Sequence, residues 1–320
     1  MRGREGAKMK ILITGATGLI GRRLCELLTG EGHTIIALTR SPKRTEGLAI
    51  AEAYGWEPEA GPPPEQALIG IDAAVHLAGE PIAARRWTDE QKKRIRDSRI
   101  ISTRNFVNAL RLAETKPRVF VSGSAIGFYG DRGNEPLIES SPPGSGFMSE
   151  VCASWEEEAE RARHFGVRVV LVRTGVVLSG EGGALKKMLP PFKLGVGGPL
   201  GSGNHWFPWI HIKDIVGIFH NAILSSSMAG PVNGTAPEPV TNSEFTKQLG
   251  RVLHRPAFLT VPEFALRALM GEMADVLLGS QRVIPKALLD AGYRFQYPLL
   301  APALEDLLGE KNSRAQAATN

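Results

Sequence analysis

Residues 10–21 read KILITGATGLIG, a short apolar and β-branched run followed by a turn with three glycines. The run Lys10–Thr14 predicts a buried strand, and the apolar residues between Leu19 and Gly30 recur at the spacing of one helix face. A second strand is predicted at Thr34–Leu38. Strand, glycine turn, helix and strand make one βαβ unit, so we expect the two strands to be parallel.

The same alternation continues to about residue 178. Strands are predicted at 73–77, 118–121 and 168–173, and helices over about 88–114 and 150–164 separate them. This alternation is typical of an α/β fold with a doubly wound parallel sheet, which we assign to residues 9–178.

After residue 178 the sequence changes in character, because glycine and proline become frequent. We predict a smaller, mainly helical C-terminal lobe over 179–308, from which residues 209–235 return to the first domain. Within this part of the chain we predict helices at 184–194 and 215–225 and a strand at 209–212. Residues 1–8 are predicted to be a disordered basic tail and residues 309–320 a mobile tail.

Composition narrows the class of protein. Of the 320 residues 42% are hydrophobic and 22% are charged, which excludes wholesale disorder, and no apolar stretch approaches the roughly 20 residues of a membrane-spanning helix. The chain has only two cysteines, which excludes a disulfide scaffold and a cysteine-based zinc site and suits a reducing compartment, so we expect a cytoplasmic protein. Because the histidines also lack metal-ligand spacing, we expect no metal. The net charge of +5 is spread along the chain. We therefore expect a small-molecule substrate and neither a nucleic-acid nor a membrane partner, and we leave open a homodimer.

The glycine turn predicts a dinucleotide site. In a turn of this kind, one glycine makes the bend, one lets a diphosphate approach the backbone, and one lets the helix pack closely on the strand. The exposed amides at the start of the helix then bind the phosphates. A purely structural turn is the alternative. The predicted contacts are Gly15, Thr17, Gly18, Leu19, Ile20 and Gly21.

The end of the second strand indicates which dinucleotide is bound. NAD sites carry an acidic residue there, which binds the adenosine ribose. This chain has Thr39 and Arg40 instead. A guanidinium suits a 2′-phosphate, so we predict NADP(H) rather than NAD. The alternative is an arginine on a solvated strand end.

Several motifs beyond this turn resemble one superfamily. They are TGATGLIG (14–21), Leu77-Ala78-Gly79, Ser122-Gly123-Ser124 and WIHIKD (209–214). They resemble the short-chain dehydrogenase/reductase superfamily in its extended, epimerase/dehydratase-like branch. More closely, LAGEPIAARRW, GVVLSGEGGAL and GSQRVIPKALLDAGYRFQYP are similar to the YfcH-like epimerase-family proteins, an atypical group with a helical C-terminal domain. The resemblance implies a Rossmann-type NADP(H) site and an oxidoreductase or epimerase-like activity, without naming a substrate.

Further cofactor contacts follow from the resemblance by position. The segment KKRIRDSR (92–99), which supplies two of them, is mostly a solvated helix face if it has no binding role. The implied contacts are Leu77, Ala78, Gly79, Glu80, Arg94, Arg99, Ser122 and Val177.

The usual catalytic pair of the superfamily is missing from this sequence. Ordinary members use a Tyr-x-x-x-Lys pair, in which tyrosine is the acid or base and lysine lowers its pKa. Here Met148 and Cys152, or in the neighbouring register Phe147 and Val151, occupy those positions. Ser124, which could orient a carbonyl or merely satisfy a turn, and Tyr129 are the catalytic candidates. Glu80, Glu150 and His211 are further possible proton carriers. The predicted function is an NADP(H)-binding oxidoreductase or epimerase-like enzyme without this pair; the alternative is a non-catalytic NADP-binding sensor or scaffold.

Overall fold

The computed structural model describes residues 8–83 and 85–309, so both predicted tails lie outside it except for Lys8 and Gly309. In chain order the strands are β1 (Lys10–Thr14), β2 (Thr34–Thr39), β3 (Glu52–Gly55), β4 (Ala73–His76), β5 (Val119–Ala125), β6 (Pro136–Leu137), β7 (Arg168–Thr174), β8 (Val176–Leu178), β9 (Trp206–Phe207), β10 (Trp209–His211), β11 (Gly230–Gly234), β12 (Val240–Thr241) and β13 (Arg282–Val283). The α-helices are α1 (Leu19–Gly30), α2 (Asp89–Leu112), α3 (Phe147–Glu160), α4 (Gly183–Lys193), α5 (Ile212–Leu224), α6 (Asn242–Val252), α7 (Glu263–Met270), α8 (Ala274–Leu278), α9 (Lys286–Asp290) and α10 (Leu300–Leu308).

Within the described residues, seven strands form a parallel central sheet in the order β11-β7-β5-β4-β1-β2-β3. The strand order reverses beside β1, which has β2 on one side and β4 on the other. In open parallel sheets, ligands bind outside the carboxyl ends of the strands at such a reversal. The predicted Rossmann-type parallel sheet is confirmed.

Helices cover both faces of this sheet, because alternate strand residues point to opposite sides. Ile11 and Ile13 of β1 belong to a core that includes Leu24 of α1 and Phe219 of α5. Leu12, between them, belongs to a second core with residues of α2 and α3. The strands are therefore buried on both faces, which explains their continuous apolar sequence.

Two strands of the central sheet, β3 and β11, were not predicted from the sequence. β3 has the sequence EAYG and is a partly exposed edge strand, so it lacks a clear apolar pattern. β11 has the sequence GPVNG, whose glycines and proline are unfavourable in isolated strands. It joins the sheet beside β7, which brings this stretch back to the first part of the chain.

Other element bounds also differ from the prediction. The strand predicted at 209–212 is β10, which pairs with β8 outside the central sheet, and α5 starts at Ile212 rather than at residue 215. The helix predicted over 150–164 begins at Phe147 and ends at Glu160, before a 3₁₀ turn over Arg161–Phe165. Local patterns locate such elements but do not fix their ends.

The later part of the chain has a core of its own. Residues of α4, α6 and α10 pack around Trp209 and Phe245 in this cluster. β12 pairs with β9, and β13 pairs with β6. The prediction of a helical C-terminal region is confirmed. In the described part of the chain, no helix combines the length and apolarity needed to cross a membrane.

Candidate nucleotide-binding site

The glycine turn is pressed against the end of β4. Gly15 has φ +71°, and a Cβ there would come within 2.8 Å of the carbonyl carbon of Leu77. A Cβ on Gly21 would overlap the carbonyl oxygen of Gly15. Glycine is therefore required at both positions for the turn, the start of α1 and the end of β4 to meet.

The start of α1 is open to an anion. Gly18 is the exposed N-cap and offers no capping side chain, and the first turn of the helix carries no acidic residue. The amides of Leu19, Ile20 and Gly21 have no acceptor among the described residues. Unpaired first-turn amides together with the helix dipole favour a phosphate group. This bare cradle fits the diphosphate of a dinucleotide.

A buried hydrogen-bond network fixes the loop that faces this turn. Thr14 Oγ1 accepts from the amides of Leu77 and Ala78, each at 3.1 Å. Its single hydrogen then goes to His76 Nδ1, 2.8 Å away. His76 Nε2 consequently carries the other hydrogen and donates to Ser102 Oγ at 3.1 Å. Burial lowers the pKa of His76 to about 3, so the ring is neutral and structural.

We expect His76 to make the fold sensitive to acid. The native ring stays neutral down to about pH 3, whereas in the unfolded chain its pKa returns to the ordinary 6.5. The unfolded chain therefore binds more protons in this window, and stability falls as the pH drops through it. Between about pH 7 and about pH 5 the His76 contribution should decrease by about 2 kcal/mol. Urea unfolding of the wild type and of His76→Asn at both pH values checks this, since parallel pH dependences would contradict it.

Arg40 directly follows β2, the neighbour of β1 on one side of the glycine turn. Both Arg40 and its neighbour Arg44 are exposed, and neither forms an ion pair or side-chain hydrogen bond within the described residues. Lys43 is exposed beside them on the 3₁₀ turn Pro42–Thr45. Lys43 and Arg44 were not among the predicted contacts, although both lie in the basic run RSPKR (40–44) directly after the strand. Arg40, Lys43 and Arg44, which have no side-chain partner among the residues that the structure describes, give the end of β2 a local excess of positive charge.

The segment after β4 lies on the other side of the turn. Gly79 is exposed and packs against Arg99 of α2; a Cβ on Gly79 would lie 3.4 Å from the guanidinium carbon. Arg99 Nη1 donates to the carbonyl oxygen of Glu80 at 3.1 Å. Arg94 lies on an exposed part of α2, where it pairs with Glu90 at 2.5 Å. The structure thus brings Gly79, Glu80 and Arg99 together and leaves Arg94 apart.

The predicted catalytic hydroxyls belong to a buried polar network. Ser124 Oγ donates to Glu156 Oε1 at 2.6 Å, and Arg173 binds both oxygens of Glu156, with Nε and Nη2 at 2.8 and 2.7 Å. Arg173 Nη1 donates to the hydroxyl of Tyr129 at 3.0 Å. The Tyr129 hydroxyl lies 2.7 Å from Asn233 Oδ1, to which it donates. Both hydroxyls therefore have protein partners in this structure.

The last two predicted contacts differ in accessibility. Ser122 is fully buried and donates to the carbonyl oxygen of Gly123 at 3.0 Å. Val177 is partly buried in β8. A Cβ on Gly183, the first residue of α4, would lie 3.1 Å from the side chain of Leu19. The segment after β8 therefore reaches the start of α1.

Neither a cluster of metal-ligand side chains nor an activated thiol is present among the described residues. No group of three histidine, cysteine or acidic side chains within residues 8–83 and 85–309 could hold a metal ion. Burial raises the pKa of Cys152 to about 12, opposed by the nearby Arg99. This thiol is therefore protonated at neutral pH and is a poor nucleophile.

Comparison with known proteins agrees with this geometry. Residues 11–233 match the NAD dependent epimerase/dehydratase family, and residues 261–307 match a domain of unknown function, DUF1731. The chain is 42% identical over 313 residues to the chloroplastic epimerase family protein SDR39U1 homolog of Arabidopsis thaliana, covering 94% of this chain and 87% of the relative. It is 37% identical over 306 residues to the epimerase family protein YfhF of Bacillus subtilis, covering 95% and 100%.

Solved structures give the same result. The human epimerase family protein SDR39U1, crystallised with NADPH, superposes with a TM-score of 0.84 at 37% identity, covering 94% of this chain and 100% of that one. A nucleoside-diphosphate sugar epimerase from Corynebacterium glutamicum superposes with a TM-score of 0.77 at 35% identity, covering 99% and 62%. The resemblance predicted from the sequence motifs is confirmed, and the chain belongs to the NAD dependent epimerase/dehydratase family.

Proposed function

We propose that this protein binds NADP(H) and is an oxidoreductase or epimerase-like enzyme that lacks the Tyr-x-x-x-Lys pair. The observation that carries the proposal is the bare start of α1, held against β4 by Gly15 and Gly21, with the unpaired Arg40 at the end of β2. The human relative whose structure contains NADPH supports the same cofactor here.

Each part of the site has a separate binding role in this proposal. The amides of Leu19, Ile20 and Gly21 hold the diphosphate, and Arg40 binds the 2′-phosphate of the adenosine ribose. Lys43 and Arg44 add positive charge at that end. The bound nicotinamide would supply hydride chemistry, so the protein needs chiefly to orient a small-molecule substrate. Ser124 and Tyr129 would have to leave their present partners before either could donate a proton to a substrate.

A second candidate function is a non-catalytic NADP-binding sensor or scaffold. The engagement of Ser124 and Tyr129 favours it, as does the protonated thiol of Cys152. Incubating the NADPH-loaded protein with a panel of carbonyl compounds and nucleotide sugars separates the two. Loss of NADPH absorbance with a panel member supports the enzyme, whereas tight binding without NADPH consumption across the panel supports the sensor.

Arg40→Asp is expected to change which cofactor is preferred. The carboxylate would repel a 2′-phosphate and accept hydrogen bonds from an unphosphorylated ribose. We expect NADPH affinity to fall by about tenfold to a hundredfold and NADH affinity to rise, by direct titration of both. Arg111→Asp, at the exposed end of α2, is the control and should leave both affinities unchanged. An unchanged ratio of the two affinities in Arg40→Asp would remove Arg40 from the site.

The cellular compartment and the binding partners of the protein are also proposals. Cys25 and Cys152 are both buried and free, which suits a reducing compartment, and we propose the cytoplasm. We propose a small-molecule substrate and no nucleic-acid or membrane partner; a homodimer is compatible with this function.

A further inference from the structure

A groove in the C-terminal lobe lies where the chain folds back after α6. Its volume is about 500 Å³, and none of its lining residues belongs to the nucleotide-binding site described above. Gly250 lines it and is buried, because a Cβ there would lie 2.6 Å from the Cβ of Ala257. Glycine thus lets the turn after the helix pack against α6 and form one side of the groove. A cavity of this size can hold a small organic molecule.

Three cations line this groove, and no carboxylate does. They are the exposed side chains of Lys247, Arg251 and Arg255. Within residues 8–83 and 85–309 none of them forms an ion pair, and their one side-chain hydrogen bond runs from Arg255 Nε to the carbonyl oxygen of Lys193, at 3.1 Å. Lys247 and Arg251 are four residues apart, so they lie on the same face of α6. The groove therefore offers three positive charges to one ligand.

Capping of the helix does not account for these cations. Carbonyl oxygens in the last turn of α6 already accept backbone amides, that of Gly250 from Arg255 at 2.9 Å and that of Arg251 from His254 at 3.1 Å. The helix dipole favours basic residues in that last turn, but Arg255 lies beyond it. The charges therefore exceed what the helix end requires.

His254, which also lines the groove, has an unusual backbone conformation. Its φ is +53°, and in the part of the chain that the structure describes it is the only residue other than glycine with a positive φ. Helices commonly end with a glycine in this conformation, which is costly for a residue with a Cβ. Such strain clusters at ligand-binding sites. The histidine supplies the groove with a side chain that glycine would not.

An aromatic ring lies beside the cations. Phe258 lines the groove and is 72% exposed, so its ring can stack on a flat ligand. A ring face next to three cations matches a molecule that carries both a planar base and several negatively charged oxygens. We propose that this groove is a second nucleotide site, which binds the phosphates of a nucleoside polyphosphate through Lys247, Arg251 and Arg255 and stacks its base on Phe258. The inference is independent of the proposed NADP(H) function.

Calorimetry with ATP and with inorganic tripolyphosphate tests the proposal, on protein saturated with NADPH so that the glycine turn is occupied. Tripolyphosphate has the same chain of phosphates without a ribose or a base. We expect the wild type to bind both, and ATP more tightly by about fivefold to tenfold because its base stacks on Phe258. Phe258→Ala should remove that difference and leave the affinity for tripolyphosphate unchanged.

Variants of the cations show where the ligands bind. Arg251→Gln and Arg255→Gln should each weaken both ligands by about tenfold, through loss of a charge-assisted hydrogen bond. His254→Gly should weaken ATP binding by about threefold without lowering the midpoint of urea unfolding, because glycine readily adopts a positive φ. Arg294→Gln is the matched control, since Arg294 is an exposed arginine of the same lobe that does not line the groove. It should bind both ligands normally.

Other outcomes overturn the assignment. Absence of ATP binding to the NADPH-saturated wild type, or ATP binding that the two arginine variants leave unchanged, would remove the nucleotide from the groove. Equal affinities of the wild type for ATP and tripolyphosphate would show that no base is recognised. Binding of a hexaglutamate peptide as tightly as ATP would indicate a docking surface for an acidic peptide instead. If NADPH does not bind, the proposed function fails by itself, because the same variants still report whether ATP binds in the groove.

Discussion

Gly18→Val is expected to abolish NADPH binding, with a loss of affinity of more than about a hundredfold, while the protein remains folded. Gly18 is the exposed N-cap of α1, with φ −76° and ψ 175°, a conformation that valine can adopt. A Cβ there would lie 3.2 Å from the carbonyl oxygen of Gly15, which is tight but tolerable. The two methyl groups of valine would occupy the space in front of the first-turn amides, where the diphosphate has to bind.

Stability measurements separate this effect from unfolding. Valine is a poorer N-cap than glycine, so we expect a loss of about 1 kcal/mol in the free energy of unfolding. Gly30→Val is the matched control, because a Cβ at Gly30 meets nothing within 4 Å. It should bind NADPH normally. If Gly18→Val binds NADPH as tightly as the control, the cofactor does not lie at this turn.

Arg173→Met is expected to give the largest loss of stability, about 3–5 kcal/mol in the free energy of unfolding. Arg173 and Glu156 are 4% and 8% exposed at their side chains, and two hydrogen bonds join them. Removal of the guanidinium would leave the Glu156 carboxylate buried with the Ser124 hydroxyl as its remaining partner. It would also remove a cation lying 3.5 Å from the ring centroid of Phe128.

Denaturant unfolding measures this loss against an exposed ion pair. Lys286→Met breaks the pair with Asp290, in which both side chains are more than half exposed, and should cost no more than about 0.5 kcal/mol. The double variant Arg173→Met with Glu156→Leu should recover much of the stability, because it leaves no unpaired buried charge. A loss below about 1 kcal/mol in Arg173→Met would contradict this prediction. It would show that the variant does not leave the Glu156 carboxylate buried and charged without a cationic partner.

The parts of the site that could be predicted depend on neighbours in sequence. The spacing of Gly15, Gly18 and Gly21 reports a backbone requirement within a single turn, so the prediction needed no knowledge of the rest of the fold. Arg40 was predictable because its place at the end of a strand follows from the same βαβ unit. Lys43 and Arg44 were within reach of the same argument, as basic residues directly after that strand end.

The remaining features depend on contacts between distant segments. The partners of Ser124 and Tyr129 come from α3, β7 and β11, so their sequestration could not be inferred from the segment that contains them. Arg99 was a candidate on resemblance alone, and its stacking between Gly79 and Trp155 depends on how α2 and α3 pack. Tertiary contacts of this kind leave no periodic signal in the sequence.

Calorimetric titration of the purified, folded wild type with NADPH and with NADH tests the central proposal most directly. We expect both to release or absorb measurable heat at the glycine turn, with NADPH binding at least about tenfold more tightly because of Arg40. Absence of binding by either nucleotide, or a preference for NADH, would contradict the account.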